Sequence, residues 1–171
     1  MVLVTTGILH TEGNHGPGVQ PEKSIRDFRA DQFSRVFAVN TIGPAMIARY
    51  FLPKLVTDRK SVFAVLSARV GSISDNRLGG CYAYRASKAA LNMIVKSLAI
   101  ETARKQRQAA VVALHPGTVD SGLSEPFQSR VPSGQLFSPE YAAGQLLSVF
   151  NGLTSKDSGC FYAWDGAHIE F

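Results

Sequence analysis

The chain has 171 residues, 45% of them hydrophobic and 18% charged, which is enough for one globular domain with a core. Ordinary apolar content, 15 glycines and 8 prolines without a period, and only two cysteines exclude a disordered chain, a collagen and a disulfide mini-protein. The formal charge of +5 raises nucleic acid or an anionic cofactor as a partner, and it is concentrated. Within residues 84–107, six bases (Arg85, Lys88, Lys96, Arg104, Lys105 and Arg107) face one acid, Glu101.

Met1 to Thr5 has no basic stretch ahead of its apolar residues, and no apolar run approaches the roughly 20 residues that span a bilayer. The expectation is a soluble, cytoplasmic protein with no membrane partner. Cys81 and Cys160 match no CxxC or metal-ligand spacing, which reads as two reduced thiols and no metal site.

In chain order, residues 2–6 (VLVTT) are β-branched and continuous, as in a strand buried on both faces. Residues 11–21 (TEGNHGPGVQP) are rich in Gly and Pro and predict a loop. From about 27 to 56, Phe28, Phe33, Val36, Phe37, Ile47 and Tyr50 recur at helical spacing, and Gly43-Pro44 predicts a kink or split. Residues 61–68 (SVFAVLSA) predict a second buried strand, followed by a loop over 71–80. A long helix is expected over 82–107, with Leu91, Ile94, Val95 and Leu98 inward. Residues 110–114 predict a third strand, ending in His115-Pro116-Gly117. Ser138-Pro139-Glu140 supplies an N-cap, a proline at the first helical position and a first-turn acid, starting a helix that ends near Gly152. Residues 159–164 (GCFYAW) predict the last strand. Apolar strands alternating with amphipathic helices imply an α/β fold with a parallel sheet covered on both faces, in one domain over 1–171.

Ligands in such a sheet bind outside the carboxyl ends of the strands. That points to Thr6-Gly7, to residues 67–71, to residues 115–121, and to the start of the long helix, where Tyr84 and Lys88 stand one turn apart on one face. An ammonium beside a phenol favours the phenolate, so the pair predicts a tyrosine pKa lowered toward neutrality and a general acid or base. The bland reading is a solvated tyrosine over a lysine stem.

On these residues the chain resembles a family. Segment 71–92 (GSISDNRLGGCYAYRASKAALN) resembles the YxxxK region of the short-chain dehydrogenases and reductases, in particular their C-factor-like branch. Asn40-Thr41-Ile42-Gly43 resembles the NxxG element, and His115-Pro116-Gly117 the PG element. The resemblance spans essentially the whole chain. It implies the C-terminal portion of a Rossmann-like doubly wound sheet, about four strands with flanking helices, and hydride transfer between NAD or NADP and a carbonyl or alcohol substrate.

Carried over residue by residue, Tyr84 is the implied acid or base, Lys88 lowers its pKa and binds the nicotinamide ribose, and Asn40 holds a relay water at the kink. Pro116, Gly117 and Val119 frame the nicotinamide through backbone groups. Ser121 lies near the cofactor, and Gly7 matches the glycine that ends the NNAG element. The two long helices are the implied homo-oligomer interface.

Two departures stand out. The catalytic serine position is Ala68, which cannot donate to an oxyanion. Ser67, expected to point to the other face of its strand, and Ser72 and Ser74 in the following loop are the three candidates to replace it, with Ser72 preferred. The glycine-rich cofactor turn is also missing, because residues 6–13 have Thr11 where its middle glycine belongs and lead into Asn14-His15-Gly16-Pro17-Gly18, which cannot open a helix. The resemblance therefore makes residues 2–6 the fourth strand of a sheet ordered 3-2-1-4-5-6-7, with the chain truncated before it, the strand left as an edge and only the nicotinamide half of the cofactor site present.

A different class of function, an inactive remnant acting through protein association, is favoured by these departures and opposed by the intact Tyr84, Lys88 and Asn40. Nucleic-acid binding is not expected, since Lys88 belongs to the proposed site and Arg104, Lys105 and Arg107 offset a helix dipole. Loop 122–137 is expected to cover the substrate, with Leu123, Phe127, Val131 and Leu136 as an apolar lining.

Overall fold

The computed structural model describes residues 1–12 and 18–171. In chain order its elements are β1 (Val2–Val4), α1 (Ala30–Phe37), α2 (Gly43–Phe51), β2 (Ser61–Leu66), α3 (Tyr82–Ala103), β3 (Ala109–His115), β4 (Thr118–Val119), β5 (Leu136–Phe137), α4 (Pro139–Gly152) and β6 (Phe161–Ala163). The main sheet runs β1-β2-β3-β6 with every pairing parallel.

Alternation along the two central strands explains why both faces are covered. Phe63, Val65, Val111 and Ala113 are buried with Leu91 and Val95 of α3 in one apolar cluster. Val62, Ala64, Val112 and Leu114 are buried with Leu146 and Phe150 of α4 in the other. Side chains on successive strand residues point to opposite faces, so an unbroken apolar run serves two helical layers at once. Full burial of each of the Val, Leu and Phe side chains contributes about 1.5–3 kcal/mol, and of each alanine less.

The parallel α/β sheet agrees with the sequence reading, while several boundaries are tighter. β1 stops at Val4, where its register with Val65 ends, leaving Thr5 and Thr6 exposed beyond it. β2 stops at Leu66, although Ser67 N–H still donates to the Leu114 carbonyl at 2.8 Å. β6 keeps only three residues. The long helix ends at Ala103, so Arg104, Lys105 and Arg107 lie in the turn that returns the chain to β3.

The expected break at Gly43-Pro44 is instead a widened turn. Residues Ala38–Ile42 form one π-helical turn between α1 and α2, in which Gly43 N–H donates to the Ala38 carbonyl. Widening moves the ring of Pro44 away from the carbonyl four residues back, the clash that otherwise breaks a helix. The chain therefore continues as helix without a stop.

Thr11 and Val19 form an isolated antiparallel bridge, while residues 13–17 of the expected loop lie outside the described residues. Two short elements were not anticipated: β4 and β5 pair in parallel and pin both ends of the loop over 120–135. Among the described residues, no helix is long and apolar enough to cross a membrane.

Candidate active site

A cavity of about 770 Å³ opens at the carboxyl ends of β1, β2 and β3 and extends down between the sheet and α4. All seven residues expected near a cofactor, from Gly7 through Tyr84 and Lys88 to Pro116, Gly117, Val119 and Ser121, line it. Asn40 and Ser72 do not.

Lys88 is 3% exposed, and its Nζ donates to the Leu66 carbonyl at 2.8 Å while lying 5.8 Å from the centre of the Tyr84 ring. Burial pushes its pKa down to about 8. Gly7 makes room for it, since a Cβ there would lie 3.4 Å from Lys88 Nζ and 3.6 Å from Asn40 Oδ1. Gly71 does the same from the other side, where a Cβ would meet Lys88 Cβ at 2.6 Å. Two glycines thus let the loops after β1 and β2 close on one lysine.

Tyr84 corrects a sequence expectation. Burial, with a smaller contribution from Cys81, pushes its pKa up to about 12, opposite to the lowering that the Tyr84–Lys88 pair predicts. The half-buried phenol has lost more solvation than an ammonium 5.8 Å from the ring centre returns, and burial disfavours the charged form of both groups.

Asn40 is fully buried inside the π-helical turn, and its carboxamide is committed to protein. Oδ1 accepts from Ile8 N–H at 2.7 Å, while Nδ2 donates to the Ile8 carbonyl at 2.8 Å and to Ser87 Oγ at 3.1 Å. Thr41 Oγ1 donates to the Ser87 carbonyl at 2.8 Å. The side chain therefore ties the segment after β1 to α3.

Ser72 is buried, and its Oγ accepts from Asp75 N–H at 3.2 Å and pairs with Ser74 Oγ at 3.3 Å. It stabilises its own loop and stands apart from Tyr84 and Lys88 as far as the cavity wall is concerned. Ser67 also lines the cavity, but its Oγ is engaged on α3, donating to Asn92 Oδ1 at 2.7 Å. The Ala68 methyl lines the wall where a hydroxyl was expected.

Gly117 has φ +79°, and a Cβ on it would come within 2.5 Å of the Phe137 ring and 3.1 Å of Trp164. Only glycine fits both that backbone and that contact. Phe137 in turn packs on Trp164 and Tyr141 at 4.6 and 5.0 Å between ring centres. On the far side, His10 Nε2 donates to the Gly122 carbonyl at 2.9 Å, joining the loop after β1 to the loop after β4.

Sequence reasoning missed Glu22. Its buried carboxylate accepts from Gln32 Nε2 at 2.6 Å and from Ala83 N–H at 3.2 Å, and its carbonyl accepts from Cys81 N–H at 2.7 Å. A carboxylate at the start of α3 offsets the helix dipole and satisfies a free amide, which fixes where Tyr84 begins its turn. No local pattern around Glu22 signals this, because its partners lie 10 and 61 residues away.

The short chain dehydrogenase family matches residues 14–131. The chain belongs to that family. It is 35% identical to the C-signal of Myxococcus xanthus over 146 residues, 85% of this chain and 82% of that protein. It is 32% identical over 92% of its length to 1-hydroxy-2-glutathionyl-2-methyl-3-butene dehydrogenase of Rhodococcus sp., covering 66% of it. An NADPH-bound carbonyl reductase from chicken fatty liver superposes with a TM-score of 0.77 at 28% identity, over 88% of this chain and 61% of that one. The chain thus spans just under two thirds of the length of the dehydrogenase and reductase it matches.

The residues fit one end of a nicotinamide dinucleotide. Buried Lys88, the Gly7 and Gly117 backbones and a cavity wall without carboxylates suit the nicotinamide and its ribose. Among the described residues there is no glycine-rich turn leading into a helix for the pyrophosphate.

Proposed function

We propose that this chain carries the nicotinamide and substrate half of a short-chain carbonyl reductase site, with Tyr84 as the proton donor to the substrate oxygen. The carrying observation is the convergence of Tyr84, Lys88, Gly7 and Gly117 on one cavity at the carboxyl ends of parallel strands. A bound nicotinamide supplies the hydride. The protein's own residues handle the proton and the geometry.

A phenol with a pKa of about 12 stays protonated at neutral pH, the state required to donate to a carbonyl oxygen as negative charge develops on it. Lys88, anchored on the Leu66 carbonyl, places a charge beside the phenol that stabilises the phenolate formed. Pro44 has no N–H to offer the Asn40 carbonyl four residues earlier, and that backbone oxygen is the one assigned here to a relay water. Lys88 and Gly7 would hold the nicotinamide ribose, and the backbone over 116–119 its carboxamide.

The test is turnover of NADPH with methyl 4-oxo-4-phenylbutanoate by the chain and by Tyr84→Phe, with cofactor binding followed by nicotinamide fluorescence. Tyr84→Phe should lower turnover by about 10²–10⁴-fold with cofactor binding retained, and undiminished turnover would reject the assignment. A second reading, action through association with another protein, is favoured by Ala68, which offers no hydroxyl to the substrate oxygen. It predicts no turnover by the unaltered chain.

A further inference from the structure

The cavity is asymmetric in charge. Its lining includes two cations, Arg69 and Lys88, and no carboxylate, while Leu66, Leu114, Phe127, Leu146 and Phe150 make most of the wall apolar. Lys88 is buried and held by the Leu66 carbonyl. Arg69 is placed differently: it follows Ala68 at the end of β2, its side chain is half exposed, and its Nη1 meets Asp75 Oδ2 at 3.4 Å. That is long for a charge-assisted hydrogen bond, which closes to about 2.7–2.9 Å, and a half-exposed pair of this kind is weakly held.

The charge of Arg69 is felt across the cavity rim. After burial, it is the next cause that depresses the ionisation of His115, another lining residue. The planar fork of a guanidinium matches a carboxylate in particular, and a half-exposed one can exchange its partner at modest cost.

We propose that Arg69 is a specificity-determining residue for the site described above, selecting a keto or hydroxy acid: an apolar body for the wall, a carboxylate for the guanidinium, and a reactive oxygen near Tyr84. This rests on the reading of the cavity as a substrate site, and Asp75 is the internal carboxylate that such a substrate displaces.

Binding to the 171-residue chain tests it without turnover, by calorimetric titration with 4-oxo-4-phenylbutanoate and with its methyl ester. The acid should bind at least about tenfold more tightly than the ester, the scale of one charge-assisted contact. Arg69→Gln should bring the ratio toward one, and Asp75→Asn should raise it. Equal affinity for acid and ester, or a ratio that Arg69→Gln does not change, overturns the proposal. Tyr84→Phe separates the two claims: it should keep the acid preference whatever it does to turnover, so loss of the reductase reading leaves the Arg69 result standing on its own.

Discussion

His115 shows how much a single residue's surroundings set its chemistry. It closes β3 in the triplet His115-Pro116-Gly117, its Nδ1 is buried with no hydrogen-bond partner among the described residues, and burial with the nearby Arg69 pushes its pKa from 6.5 down to about 4. The unfolded imidazole takes up its proton near pH 6.5 and the folded one only near pH 4. Between those values the unfolded chain binds more protons, so stability must fall as pH drops through this window, by about 3 kcal/mol in all. Urea midpoints at pH 7 and pH 4.5 check this: the wild type should lose more stability than His115→Asn on acidification, and parallel losses would contradict it. The sequence identified the position through its motif but gave no sign of the desolvation. The same blindness applies to Tyr84, whose spacing from Lys88 was legible while the burial that governs its pKa was not. The seven cavity residues from Gly7 to Ser121 were legible because motif coincides with a strand end or, for Tyr84 and Lys88, with the first turns of α3. Ser72 was not, because a loop hydroxyl's direction depends on local bonds to Asp75 and Ser74.

At the scale of elements, the α1–α2 segment carries the clearest lesson. Gly43-Pro44 signals an interruption, yet sequence alone does not distinguish a broken helix from a π-helical turn, since both relieve the same proline clash. The difference is functional, because the widened turn places Asn40 where its carboxamide grips both backbone groups of Ile8. Asn40→Ala should therefore strip two half-buried backbone partners and one bond to Ser87, costing about 2–4 kcal/mol at the usual worth of each bond. The accompanying signature is faster hydrogen exchange at the Ile8 amide, and an amide still as protected as in the wild type would show that something else holds the segment. The end of α3 was misread for a related reason. Arg104, Lys105 and Arg107 are good helix formers, but the chain turns at Ala103 so that β3 can start at Ala109, and that constraint belongs to the sheet.

At the scale of the whole molecule, two surfaces compete to join copies of the chain. β1 is one edge of the main sheet, and an apolar edge strand is a template for pairing. The helical layer offers the other: Ile42, Met46 and Tyr50 stand four residues apart and 45–61% exposed along the π turn and α2, and Met93 and Ile100 are 67% and 56% exposed on α3. Large apolar side chains in a row on adjacent helices are unusual on a free surface. The family resemblance assigns these helices to the homo-oligomer interface, which predicts a solution mass near twice 18.5 kDa by light scattering. Met46→Lys with Met93→Lys should return it to one chain while the circular dichroism spectrum stays native, because neither side chain is part of the buried core. Leu3→Pro distinguishes the competing edge, since it removes the amide of a central β1 residue on the face of the sheet away from α2 and α3. If Leu3→Pro yields monomers and the two lysines do not, association runs through the sheet edge.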